Sequence, residues 1–271
     1  MKKHMKIINF KSGLGNQIFY YLFYQYLKEK YPNESIYGCY NKKKLSKHNG
    51  LEVDKVFNVN LPPRTWLSDI ISILCRKLTG IGIRGLKSTD DNYNESAIFF
   101  DGFYQDRKFF CNNIENIKFK DFDISDENVS ILKMMHQCDA ISIHVRRGDY
   151  VEPKFIKIYG NICTENYYKK AIQIILNKFP EARFFVFSND VQWVEKNLSI
   201  PNCVYVTNNT GKNSFMDLYL MTQCKASIIA NSSFSYWGAR LNSNNPFVVY
   251  PKKWDNINPS PDIFPSNWIK I

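Results

Sequence analysis

No stretch of this 271-residue chain stays apolar for the ~20 residues that crossing a bilayer requires. The run that follows the basic Met1-Lys2-Lys3-His4, from Met5 to Phe10, is too short and broken for a signal-peptide core. Internal repeats and low-complexity tracts are missing as well. The seven cysteines are odd in number, scattered, and never spaced Cys-x-x-Cys. That spacing argues against a disulfide framework or a zinc cluster and for reduced thiols in a cytoplasm. What is present is an ordinary folding composition, 44% hydrophobic and 15% aromatic, which excludes a disordered chain. The length suits one large domain or two smaller ones.

Acidic residues are also in short supply, and unevenly so. The chain carries a net charge of +11, and between Asn41 and Lys87 ten Lys or Arg face three Asp or Glu, a local excess of +7. Such an excess fits nucleic acid, an anionic membrane or a solvated face. Within it, residues 64–87 place Trp66, Leu67, Ile70, Ile71, Ile73, Leu74 and Leu78 at helical spacing, with Arg76, Lys77, Arg84 and Lys87 among or just after them. A core-facing helix with basic ends is the preferred reading. A helix lying peripherally on the inner face of an anionic membrane is the alternative.

The chain opens with an expected strand, Lys6 to Phe10, the turn Ser12-Gly13-Leu14-Gly15, and a helix from Asn16 to Lys30 that stops before Pro32. Residues 37–126 have weak periodicity. The second half alternates clearly: strands at 140–145, 183–187, 203–207, 226–230 and 247–250, with helical patterns at 165–179, 191–198, 214–224 and 234–241. Alternation of that kind predicts a parallel sheet with right-handed crossovers. The expected architecture is two α/β domains, 1–130 and 131–250, with a tail at 251–271; a single larger domain is the alternative.

Ligands of an open parallel sheet bind beyond the carboxyl ends of its strands. Four successive expected strand ends carry polar clusters: His144-Val145-Arg146-Arg147-Gly148-Asp149-Tyr150, Ser188-Asn189-Asp190, Asn208-Asn209-Thr210-Gly211, and Asn231-Ser232-Ser233-Phe234-Ser235. Paired arginines present rigid donor forks that match phosphate oxygens, although a double arginine also suits a solvated surface. Asn231-Ser232-Ser233 precedes a helical pattern and so offers an anion site at a helix N-terminus, or a plain N-cap. Asp190 has the carboxylate that complements the N1–H and N2 amino edge of guanine, and it equally suits capping of the next helix. Taken together, the clusters point to a guanine nucleoside diphosphate.

The turn Gly13-Leu14-Gly15-Asn16-Gln17 is not a dinucleotide fingerprint, because the third glycine would fall at Ile18. No Gly-Lys-Ser/Thr follows, so it is not a phosphate-binding P-loop either. It allows close backbone approach to a ligand in a cleft, or serves as a tight turn only.

These strings together resemble the α1,2-fucosyltransferases of glycosyltransferase family 11: Ser12 to Gln17, His-x-Arg-Arg-x-Asp at His144 to Asp149, Ser188-Asn189-Asp190, and Asp217 through Ala230-Asn231-Ser232-Ser233-Phe234-Ser235-Tyr236-Trp237-Gly238-Ala239. The arginine motif is shared with α1,6- and protein O-fucosyltransferases. The resemblance implies a GT-B type α/β fold, two Rossmann-like domains facing a cleft, with the C-terminal parallel sheet binding the nucleotide. It implies inverting transfer of L-fucose from GDP-fucose to a glycan acceptor, usually O2 of a galactose-type residue. No metal or other cofactor is implied. By motif position, Arg146 would hold the β-phosphate, His144 would lie near the guanosine, and Asp190 would read the base. Ser232, Ser233 and Phe234 would line the diphosphate pocket. The sequence departs at Ser12, where a third glycine is common, and at Tyr236, where tryptophan is common; both bear on acceptor details.

As a mechanism, charge separates between the β-phosphate and the sugar ring, so Arg146 is the first choice for the largest catalytic effect. Arg147 either contributes to donor binding or is structural, paired with a carboxylate. Asp149 and Glu152 are the carboxylates available as a base, with no choice between them. Asp121-Phe122-Asp123 reads as loop rather than a metal motif. Surface polysaccharide or lipopolysaccharide synthesis is the expected setting, and a soluble oligosaccharide fits equally as the acceptor. A transferase of another GDP-sugar, a non-catalytic sugar-nucleotide binder and a basic nucleic-acid-binding protein are the alternatives. The last is disfavoured because Tyr20, Tyr21, Phe23 and Tyr24 crowd one helix and no nucleic-acid recognition motif is present.

Overall fold

A computed structural model describes residues 5–110 and 112–271; Met1–His4 and Cys111 lie outside it. The chain divides into two compact units, Met1–Asp121 and Phe122–Ile271, each of the α/β class expected.

The first unit holds a four-stranded parallel sheet, in the order β2-β1-β4-β3. Its strands are β1 (Met5–Phe10), β2 (Ser35–Tyr40), β3 (Lys87–Ser88) and β4 (Phe99–Phe100). The helix α1 (Leu14–Lys30) buries Phe19, Tyr20, Phe23 and Leu27, so it has almost no solvent face. Phe23 stacks on Tyr104 with centroids 3.8 Å apart and meets Phe109 edge-on. The aromatics of this helix therefore form a core, as their crowding in one helix implied. Two single turns, α2 (Lys42–Leu45) and α3 (Val53–Val56), lead to α4 (Trp66–Gly80).

The last of these helices corrects the preferred reading of residues 64–87. It forms, with a Thr65–Ser68 capping box, but Ser68, Ser72 and Cys75 are the residues it buries. Small side chains every three or four residues allow close approach to the sheet, and Ser72 Oγ lies 3.4 Å from Cys39 Sγ on β2. The large apolar side chains of the opposite stripe point outward.

The second unit carries helices on both faces of a six-stranded parallel sheet: β5 (Ala140–Val145), β6 (Arg183–Ser188), β7 (Cys203–Val206), β8 (Ala226–Ile228), β9 (Phe247–Tyr250) and β10 (Ile269–Lys270). Period-two alternation sorts the side chains. Ile141, Ile143, Phe184 and Val186 pack with α7 (Glu165–Lys178) and α8 (Val191–Asn197). Phe185, Phe187 and Val206 pack with α5 (Asp126–His136) and α9 (Phe215–Met221). A single turn, α6 (Ile156–Tyr159), precedes α7, and α10 (Ser233–Arg240) follows β8.

The two units divide at 121/122, and the expected 130/131 boundary lies inside α5 rather than between elements. Residues 251–271 are no separate tail either. They return as β10 beside β9, and Phe264 stacks on Tyr250 at 4.0 Å. Tyr236 is fully buried and donates to the Ile263 carbonyl at 2.9 Å. Its departure from tryptophan thus concerns the docking of this segment, where a phenol reaches a carbonyl.

The strand order is β7-β6-β5-β8-β9-β10. The chain moves outward from β5 to β7, then returns to the other side of β5. That reversal leaves a crevice beyond the carboxyl ends of β5 and β8, where such sheets bind ligands. Arg146 follows β5, and Asn231 lies three residues beyond β8.

Candidate active site

At the end of β5 the chain leaves the sheet through Arg146 and Arg147 and enters a 3-10 turn, Gly148–Val151. Gly148 has a φ of +28°, and a Cβ there would run into the Asn189 side-chain amide. Glycine is required for this close approach. The Asn189 amide oxygen in turn accepts from the Arg147 backbone N–H at 3.0 Å.

The two guanidinium groups are held differently. Arg146 donates from Nη2 to Asp149 Oδ1 at 2.7 Å and lies 5.6 Å from the Tyr150 ring centroid. Arg147 donates from Nε to Asp190 Oδ2 at 3.1 Å and stacks 3.9 Å over the Trp193 ring. Each is partly buried and each forms one side-chain hydrogen bond among the described residues, which leaves most of the five donors of each fork uncommitted there. Both line an open cavity of about 180 Å³, walled also by Tyr150, Tyr159, Cys163, Trp193 and Asn231. Burial pushes the Cys163 thiol up to about 12, which keeps it protonated.

His144, on β5 itself, is buried, with its ring 6.0 Å from that of Phe234 on α10. Burial, with Arg146 adding to it, lowers its pKa to about 3. The imidazole is therefore neutral, and its Nδ1 is buried without a hydrogen-bond partner among the described residues. An unsatisfied buried nitrogen costs about 1–3 kcal/mol. Ser232 caps α10 by accepting from the Phe234 backbone N–H at 3.3 Å, while Ser233 and Phe234 keep partial exposure at the head of that helix.

Several expected ligand contacts are occupied by the protein itself. Asp190 accepts from the Trp193 backbone N–H at 3.2 Å through Oδ1 and from Arg147 through Oδ2. It caps α8 and anchors Arg147, so a guanine edge would compete with both contacts. Ser188 donates to the Val145 carbonyl at 2.9 Å and accepts from the Asp190 backbone N–H at 3.0 Å, tying β5 to β6. The Asn231 amide donates to the carbonyls of Tyr159 and Trp254 at 3.2 and 3.1 Å and accepts from Cys163 Sγ at 3.5 Å. These three residues build the rim. Glu152 is exposed and directly follows the 3-10 turn as its C-terminal cap.

The turn of the first unit is likewise self-contained. Gln17 is fully buried: it donates to the carbonyls of Ser12 and Gly50 at 3.0 and 2.8 Å, and accepts from the backbone N–H groups of Glu52 and Val53 at 2.8 and 3.1 Å. Asn16 accepts from Gln105 at 3.1 Å. Gly15 lies inside α1, and Gly13 precedes it with an ordinary φ of −81°. The left-handed residue is Ser12, with φ +65°, a conformation costing a non-glycine side chain about 1 kcal/mol.

Three residues around the crevice escape sequence reasoning. Tyr159, Cys163 and Trp193 line the cavity without belonging to a polar strand-end cluster. Asp217, on α9, accepts from Asn209 at 2.9 Å, and Asn209 exchanges two hydrogen bonds with Asn128 at 2.8 and 3.0 Å. Burial pushes the Asp217 carboxyl up to about 7, against the opposing Asn209 hydrogen bond. Residues 121–125 have no regular structure, and among the described residues no group of three or more His, Cys, Asp or Glu is placed to hold a metal.

A sequence profile described as "Glycosyl transferase family 11" matches residues 84–271, well over half of the chain. The chain belongs to glycosyl transferase family 11. It is a glycosyltransferase, as its strand-end motifs imply. Among similar proteins is an alpha-1,2-colitosyltransferase from Escherichia coli, 29% identical over 96% of this chain and 96% of that one. The O-antigen biosynthesis glycosyltransferase WbnK, also from Escherichia coli, is 33% identical over 55% of this chain and 53% of its own length. Galactoside alpha-(1,2)-fucosyltransferase 2 of Mus musculus is 32% identical over 37% of this chain and 30% of its own.

Proposed function

We propose that this family 11 enzyme transfers L-fucose, or a close deoxy relative of it, from a GDP-linked donor to O2 of a galactose-type residue, with inversion, during assembly of a surface polysaccharide. The observation that carries this reading is the crevice at the strand-order reversal. There two part-buried arginine forks, largely uncommitted, stand beside a neutral imidazole with an unsatisfied Nδ1 and the head of α10. Guanidinium forks match phosphate oxygens, and the N-terminus of α10 favours negative charge. The printed activities of the relatives, colitosyl and galactoside fucosyl transfer in two cases and O-antigen biosynthesis in a third, support the sugar class and the setting.

Rupture of the sugar–phosphate bond leaves negative charge on the β-phosphate and positive charge on the ring. Arg146 neutralises the departing phosphate, and Arg147, clamped between Asp190 and Trp193, holds the diphosphate in register. Asp149 orients Arg146 through their 2.7 Å contact. Glu152, whose carboxylate is exposed, takes the acceptor proton, since Asp149 is engaged with the arginine. His144 Nδ1 meets a polar group of the nucleoside, which relieves its isolation. No metal takes part, so EDTA leaves the rate unchanged.

The test is incubation with GDP-fucose, GDP-colitose and GDP-mannose against a panel of β-galactosides, with products identified by mass spectrometry and NMR. Transfer of a fucose-type sugar to O2 with inverted anomeric configuration is expected. Failure with every GDP-sugar, or transfer from a uridine-linked donor instead, overturns the reading.

A further inference from the structure

We infer that α4 and the turn after it form a docking surface for the headgroup region of an anionic lipid bilayer. The helix inverts the usual arrangement of an amphipathic segment. Its small residues are buried, while Trp66 is 74% exposed and Leu67, Ile70, Ile73 and Leu74 are 42–49% exposed along the opposite stripe. The turn extends this surface. Gly82 and Gly85, with φ of +95° and +86°, hold Ile81 and Ile83 outward, Ile81 at 77% exposure. Singly exposed apolar residues are common, but a contiguous stripe of this size marks an interaction site.

Charge selects the partner. Asp69 is the one acidic residue in 64–87, and Arg64 already pairs with it at 2.7 Å. Arg76 donates to Cys39 Sγ, and Lys87 pairs with Asp101. Lys77 and Arg84 are exposed, form no ion pair among the described residues, and border the apolar stripe. Lys77 lies one turn beyond Ile73 on the same side of the helix. Isoleucines with a tryptophan on one face and uncompensated basic groups at its border are the composition of an interfacial helix. At 15 residues, α4 is ~22 Å long, too short to cross a bilayer and suited to lying flat. A second copy would bring like charges together in a chain of net charge +11, which disfavours self-association through this face.

Co-sedimentation of the full chain with phosphatidylcholine vesicles, with and without phosphatidylglycerol, tests the inference. Binding to the anionic vesicles is expected to be at least about tenfold stronger, as two basic residues near such a surface provide. The triple substitution Ile70→Gln, Ile73→Gln, Leu74→Gln is expected to abolish it, and Lys77→Glu with Arg84→Glu to erase the preference for anionic lipid. Trp66→Phe removes the emission blue-shift on binding. All of these replace exposed side chains, so thermal melts and transfer to a soluble galactoside remain at wild-type values. Absence of vesicle binding overturns the inference. So does binding that survives the triple substitution, or a dimer, seen by light scattering, that the triple substitution dissociates.

Discussion

The two parallel sheets end in polar clusters at corresponding places, yet the clusters do opposite things. Beyond β1 and β4 of the first unit, Lys11 and Lys87 close on Asp101 at 2.8 and 3.1 Å, and Asn9 adds a hydrogen bond at 2.7 Å through its amide nitrogen while its Oδ1 stays buried without a partner among the described residues. Burial opposes ionisation of Asp101, but these partners outweigh it and hold its pKa at about 2. Gln17, in the first turn of α1, spends every hydrogen-bonding group on backbone. Beyond β5 and β8 of the second unit, most donors of the arginines are uncommitted and His144 Nδ1 has no partner among the described residues, and a cavity opens beside the arginines. A strand-end cluster whose polar side chains close on one another, with no cavity beside them, is architecture. One with uncommitted donors is available to a ligand.

The strongest way to break this contrast is Arg146→Ala. Loss of a transition-state donor lowers kcat by about 10²–10³, with an unchanged melting temperature; near-normal turnover in the folded variant defeats the assignment. The mirror experiment in the first unit is Gln17→Ala. Two buried backbone N–H groups lose their acceptor, so chemical denaturation shows a loss of about 2–4 kcal/mol, while KM and kcat of the remaining folded enzyme hold.

Asp149→Asn and Glu152→Gln sharpen the reading within the second unit. The first weakens the Arg146 contact and lowers kcat about tenfold without moving the pH–rate profile. The second removes the limb that reports the base. Identical profiles for wild type and Glu152→Gln would return the proton to another group.

Asp217→Asn has the smallest effect and separates support from chemistry. The native carboxyl has its pKa raised from 3.8 to about 7. Between those values the native state holds more protons than the unfolded chain, so stability falls as pH rises. The favourable contribution is complete below about pH 4 and lost through pH 7. Melts from pH 4 to 8 therefore show the variant gaining on wild type as pH increases; parallel curves would mean that Asp217 ionises as it does in water.

The second sheet is readable in the sequence because each strand is a short apolar run bounded by polar turns, and β5 and β9 fall where expected. In the first unit β3 and β4 are two residues long, too short for any period to emerge. The helix α4 is visible as a helix, but its inward face is not. A 3.6-residue period identifies two faces, and it takes the burial of Ser68, Ser72 and Cys75 against the sheet to show that the small one packs. At the site, Arg146 and Arg147 are legible from type and position. Asp190 is not, since capping, ion pairing and base recognition call for the same carboxylate, and the fold uses it for the first two.

The anchoring of Asn231 has a consequence for anyone redesigning the enzyme. One of its amide hydrogen bonds ends on the Trp254 carbonyl, and residues 251–271 are themselves pinned through Tyr236 and β9. Trimming those last residues would loosen the wall around the arginines from behind, so a deletion that touches no catalytic group would still read out as poor donor affinity.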